Sequence, residues 1–160
     1  MKATLNAVES LDAQIVIIHP NSDAGGDQII SEIESREFSQ PVRTFRSLPR
    51  DEYLGLMDAA DVMVGNSSSG IIEAPSFDLP VVDIGPLQEG RQRAKNTISV
   101  PHEVAKIREA ISRGFSDSKL SEKILSSTNP YDYGGAGERI ANRLAEVTID
   151  SSLLRKQLTY

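Results

Sequence analysis

Apolar and polar positions along this chain follow two periods, and the periods take turns. "IVIIHP" at Ile15–Pro20 is an unbroken β-branched run, which predicts a strand buried on both faces. "GGDQIISEIESRE" follows, with Ile29, Ile30 and Ile33 on one helical face. "VRTF" (Val42–Phe45) reads as a short strand, and "RDEYLGLMDAA" sets Tyr53, Leu56, Met57 and Ala60 at helical spacing. "DVMVG" and "PVVDIG" read as further buried strands, and "TISV" (Thr97–Val100) as a shorter one. "HEVAKIREAI" gathers Val104, Ile107 and Ile111 on one face, and "AGERIANRLAEV" does so with Ile140, Leu144 and Val147. The opening "KATLNAVESL" reads as a helix through Leu5, Val8 and Leu11.

Strands that alternate with helices make βαβ units. The pattern therefore predicts an α/β fold, a Rossmann-like parallel sheet with helices on both faces. One domain is expected over residues 1–150, with residues 151–160 a helical or frayed tail. The sequence contains no internal repeat, low-complexity tract or domain linker.

The chain has 160 residues, a net charge of -6 and a pI of about 4.9. That acidity argues against nucleic acid or an anionic membrane surface as the main partner. There is no cysteine, which removes disulfides and thiolate metal sites, and His19 and His102 are too far apart in sequence to suggest zinc. No metal and no cofactor are expected. No apolar stretch approaches the roughly 18 residues of a membrane span, and the N-terminus lacks the order of a signal peptide. A cytoplasmic protein is the expectation.

Ligands of such a sheet bind beyond the carboxyl ends of the strands. The corners there are "HPNSDAGG", "RSLPRDE", "GNSSSG" and "DIGPLQEGRQR". In "GNSSSG" a strand ends and a helix starts within the serines. Free amides and hydroxyls at that point suit an anion, most naturally phosphate, while the plainer reading is a serine N-cap. Glu73, farther along, has the chemistry to accept two hydrogen bonds from a vicinal diol such as ribose; otherwise it is an exposed helix glutamate. Serines followed by that glutamate describe a nucleotide held along one helix. In "HPNSDAGG", Asn21 and Asp23 either face the ligand or form a turn with an Asx cap. Arg91, Arg93 and Lys95 either meet phosphate or make a solvated basic loop.

Together, "PNSDAGG", "LPRDEYLGLMDAADVMVGNSSSGIIEAPSFDLPVVDIG", "QEGRQRAKN" and "NPYDYGGAG" resemble the C-terminal half of UDP-N-acetylglucosamine 2-epimerases, over roughly Ile15 to Leu144. The hydrolysing branch, which gives N-acetylmannosamine and UDP for sialic-acid-type sugars, is most similar. The resemblance implies the C-terminal domain of a GT-B-type two-domain enzyme with ligand held between the domains. It implies that Ser67 and Ser68 hold the diphosphate and Glu73 the ribose. Asn21 would lie near the nucleotide, with Asp23 as a further contact. The backbone around Ser47 and Leu48 would meet the uracil, and Arg91 belongs to the "GR" segment. The implied ligand is UDP or a UDP-N-acetylhexosamine. Leu87 stands where the family often has an arginine.

The resemblance also implies what to look for outside the chain. The family's N-terminal domain, with its main catalytic carboxylates, has no counterpart in the sequence, and no catalytic residue is assigned here. The first strand of the nucleotide-binding domain has none either, and the chain opens on the helix that should follow it. The expected partners are that N-terminal domain, in cis or in trans, and further copies of the chain. Alternative functions are the nucleotide-binding domain of a GT-B glycosyltransferase, or a nucleotide-binding module without chemistry.

Overall fold

The computed structural model describes residues 1–9, 11–20 and 25–155. The expected alternation is present. Helix α1 (Lys2–Val8) precedes β1 (Ile15–Ile18), then come α2 (Gly26–Glu34), β2 (Val42–Phe45), α3 (Arg50–Ala59) and β3 (Met63–Gly65). One helical turn, α4 (Ser69–Ile72), runs into a 3-10 turn at Ala74–Phe77. Strands β4 (Val81–Ile84) and β5 (Thr97–Val100) follow, then α5 (Val104–Ser116), α6 (Ser118–Leu125), α7 (Ala136–Glu146) and α8 (Ser151–Leu154).

All the strand pairs are parallel, and they fall into two sheets, β1-β2 and β3-β4-β5. The register of β3 on β4 sets Met63 opposite Val81 and Gly65 opposite Asp83. Among the described residues β1 and β3 do not pair with each other, so each has one edge without a neighbouring strand.

Strand β4 is the hub, buried at every position. Side chains alternate across a strand, and β4 uses both faces. Val82 and Ile84 pack with Ala7 and Val8 of α1 and with Ile107, Ala110 and Ile111 of α5. Val81, one residue out of phase, packs with Met57 of α3, Ala74 and Leu79. Helices therefore cover the two faces, as the sequence pattern predicts. Arg108 ties α5 to the end of α1, donating from Nη2 to the Asn6 carbonyl at 2.8 Å.

Two expectations change. "IVII" is not buried on both faces: Val16 is 40% exposed, because β1 has a strand on one side only and joins the main core through Ile15. The apolar face of α7 forms as the spacing predicts, yet Ile140 is 59% and Leu144 69% exposed, and none of the helix is buried. Helix α6 has no counterpart in the pattern reading, since it buries only Leu120 and Ile124.

The start of α6 is fixed by Asp117, whose carboxylate accepts from the amides of Lys119 at 3.1 Å and Leu120 at 3.2 Å. The Leu120 amide is the largest influence holding this carboxyl below its ordinary value of 3.8, with the Lys119 amide and Arg113 acting the same way. A lowered folded value means that the cap stabilises fully above the ordinary carboxylate range, and that its contribution is lost as pH falls through the lower folded value. Asp117→Ala is therefore expected to lower the melting temperature at neutral pH, with the difference from the unchanged chain shrinking in strong acid. A gap that stayed constant across that range would rule out the charged cap.

Candidate functional site

The unusual corner lies at the carboxyl end of β3. Gly65, which closes that strand, has φ 152°, a conformation that favours glycine. The chain turns through Asn66 and Ser67 into α4, with Ser68 as N-cap. The Ser67 hydroxyl accepts from the Ser69 amide at 3.3 Å, and the Gly70 amide donates to the Ser67 carbonyl at 3.2 Å. These bonds use the amides of Ser69 and Gly70. The amides of Ser67 and Ser68 have no protein partner among the described residues. Two adjacent free donors at a strand end suit an anion.

Gly70 explains the glycine after the serines. A Cβ there would lie 2.8 Å from Val81 Cγ1, so the turn can rest on β4 only without a side chain. The glycine serves close approach rather than flexibility.

Glu73 sits beyond the first turn, at the junction of α4 with the 3-10 turn. The single continuous helix expected from the sequence is therefore only one turn long, because Pro75 cannot supply the next amide. Glu73 Oε1 meets Arg50 Nη1 at 3.3 Å. Arg50 opens α3, directly after the corner that contains Ser47 and Leu48. Ser47 is exposed and Leu48 half-buried. Arg50 carries no role in the sequence reading, and its 23-residue separation from Glu73 hides the pairing.

The loop between β4 and β5 divides its cations. Arg91 and Lys95 are exposed, and the Arg91 side chain has no ion-pair partner among the described residues. Arg93 turns inward. Its Nη2 lies 2.9 Å from Asp83 Oδ2 and donates to the Gln88 carbonyl at 2.8 Å, and its Nη1 donates to Ser99 Oγ. Asp83 is 1% exposed, and the approach of Arg93 makes a charge contact rather than a well-aligned hydrogen bond. Burial pushes the Asp83 carboxyl above its ordinary value of 3.8 even though Arg93 pulls the other way. Gln88, 5% exposed, donates from Nε2 to the Asn66 carbonyl at 2.8 Å.

The "NPY" segment closes the far side. Asn129 Nδ2 donates to the Ile72 carbonyl at 2.9 Å and to Ser76 Oγ at 2.7 Å, which braces the backbone on either side of Glu73. The Tyr131 hydroxyl donates to the Gln92 carbonyl at 3.0 Å, beside Arg91. Glu73 thus contacts Arg50, three positions after Ser47 and two after Leu48, and Arg91 lies on the loop that Tyr131 holds. Asn21 and Asp23 lie outside the described residues. Sequence reasoning missed Arg50, Gln88, Arg93, Asn129 and Tyr131 as supports. The "NPYDYGGAG" segment was itself the signal for the last two.

Comparison with known proteins identifies the family. The family model described as UDP-N-acetylglucosamine 2-epimerase matches residues 1–145. The chain is 36% identical over 160 residues to a hydrolysing UDP-N,N'-diacetylbacillosamine 2-epimerase of Legionella pneumophila, covering 99% of this chain and 41% of that protein. It is 37% identical over 102 residues to a hydrolysing GDP/UDP-N,N'-diacetylbacillosamine 2-epimerase of Campylobacter jejuni, covering 61% of this chain and 26% of that one. The chain thus spans well under half the length of these relatives. Its fold matches the crystal structure of a Neisseria meningitidis UDP-GlcNAc 2-epimerase bound to UDP-GlcNAc, with TM-score 0.57 at 18% identity over 91% of this chain and 48% of that one. The chain belongs to the UDP-N-acetylglucosamine 2-epimerase family.

Proposed function

We propose that this chain is the UDP-binding half of a hydrolysing UDP-N-acetylglucosamine 2-epimerase, an enzyme that yields N-acetylmannosamine and UDP. The observation that carries the reading is the pair of free amides at Ser67 and Ser68 with Glu73 one turn beyond. The diphosphate accepts from those amides and the nearby hydroxyls. Each hydrogen bond to a charged group contributes about 1.5–3 kcal/mol. Glu73 accepts the ribose hydroxyls. A carboxylate has several acceptor sites, so Oε1 can stay with Arg50 while Oε2 takes the sugar. The uracil then lies against the backbone of Ser47 and Leu48, which precede Arg50 in the chain. Arg91 supplies an exposed cation for phosphate, and Asn21 and Asp23, which lie outside the described residues, are further proposed contacts.

The alternative of a glycosyltransferase domain shares the serine–glutamate arrangement. The "NPY" segment, which braces Glu73 through Asn129, favours the epimerase. The relatives are named for sugars with different substituents, N,N'-diacetylbacillosamine for the Legionella and Campylobacter proteins and N-acetylglucosamine for the Neisseria one. The groups around Ser67 read the nucleotide and leave those substituents to the rest of the enzyme.

Calorimetry with UDP and with pyrophosphate tests the assignment. The chain should bind both, and Glu73→Ala should weaken UDP by about 1.5–3 kcal/mol, the scale of a lost charged hydrogen bond. Pyrophosphate should weaken far less. Equal losses for the two ligands would move Glu73 off the ribose.

A further inference from the structure

We propose that Gln88 is a positioning residue: it holds the Asn66 carbonyl and thereby aims the Ser67 amide at the phosphate. The proposal rests on the nucleotide reading above and adds to it the device that orients the donor.

The Asn66 carbonyl and the Ser67 N–H belong to one peptide unit. That unit is planar and trans, so its C=O and N–H point in opposite directions. While Gln88 Nε2 holds the oxygen at 2.8 Å, the unit cannot rotate, and the direction of the Ser67 N–H is fixed. A carbonyl that accepts a hydrogen bond also polarises its own peptide, which makes the attached N–H a better donor. Ser67 is exposed, and its amide has no protein partner among the described residues.

Gln88 is itself held rigidly. Its backbone carbonyl accepts from Arg93 Nη2 at 2.8 Å, and Arg93 rests on Asp83 of β4 and Ser99 of β5. The buried strands thus reach the turn through two side chains. Stability alone does not account for a glutamine at this position. Its Oε1 is buried without a hydrogen-bond partner, which disfavours the fold, and an apolar side chain of the same size would avoid that penalty.

The test uses the full 160-residue chain with Gln88→Leu and Gln88→Met. Both remove the donor and keep the bulk. Amide NMR without ligand should show the Ser67 signal displaced, with the melting temperature held or raised. Calorimetry should show UDP weakened about tenfold or more, while uridine, which lacks phosphate, binds as before. A Ser67 amide unchanged in both variants overturns the proposal. So does equal weakening of UDP and uridine, which would mark Gln88 as a general support of the loop. If the unaltered chain binds neither UDP nor pyrophosphate, the nucleotide reading fails. The Ser67 signal then decides by itself whether Gln88 orients the turn.

Discussion

Adding one apolar β-strand and a short turn ahead of α1 is expected to raise the melting temperature by roughly 10 °C or more and to convert an associating chain into a monodisperse monomer. The expectation follows from the split between β1-β2 and β3-β4-β5. Parallel strands ordered 3-2-1-4-5-6 have their first strand in the centre. We propose that β1 and β3 flank that position. Each leaves a row of backbone donors and acceptors without partners from a neighbouring strand, and Val16 lies partly open beside one of them. A strand inserted between the two edges would satisfy both rows at once. It would enter α1 through a right-handed crossover, the hand that βαβ units adopt. Without it, exposed edges recruit other chains. Sedimentation should show dimers or larger species for the chain alone. A stable monomer that the extension leaves unchanged would sink the proposed strand order.

The 160-residue chain by itself is expected to release no UDP from UDP-N-acetylglucosamine above background. The proposed reaction removes the C2 proton, breaks the bond from C1 to the UDP oxygen, and then adds water across the resulting double bond with inversion at C2. Both stages need acids and bases within hydrogen-bond reach, and each such group contributes about 10²–10⁴-fold. Two carboxylates close to the anion turn are otherwise engaged. Glu73 is tied to Arg50, and Asp83 is buried beneath Arg93. Loss of these factors together takes the rate down by several orders of magnitude. Turnover near the usual enzyme range of about 1 s⁻¹ or faster would show that this chain carries its own catalytic groups.

How much of this was legible beforehand depended on distance along the chain. The strands announced themselves because β-branched runs such as "PVVDIG" have few other uses, and the position of "GNSSSG" at a strand end followed from them. Burial was less legible. "IVII" has the composition of a central strand, but exposure depends on a neighbour that composition does not report. Asp83 shows the same limit in the site. A carboxylate inside an apolar run demands a cation, and the loop offers Arg91, Arg93 and Lys95. Only the register of β4 on β5, with Asp83 opposite Ser99, places one of them over it. Arg50 and Gln88 act across 23 and 22 positions, beyond what any local period records.

Asn129 and Tyr131 separate two boundaries that usually coincide. Among the described residues the buried core ends at Ile124, and every strand lies before residue 101. A version trimmed after Leu125 would keep the sheets and their packing. It would lose the side chain that spans 57 positions back to the Ile72 carbonyl, and the hydroxyl that spans 39 positions back to Gln92. The segment from Asn129 to Tyr131 therefore works as a clasp laid over a finished fold. Removal of the chain beyond Leu125 by a protease would leave the spectrum of secondary structure of the sheets largely intact and the brace at Ile72 and Ser76, on either side of Glu73, gone.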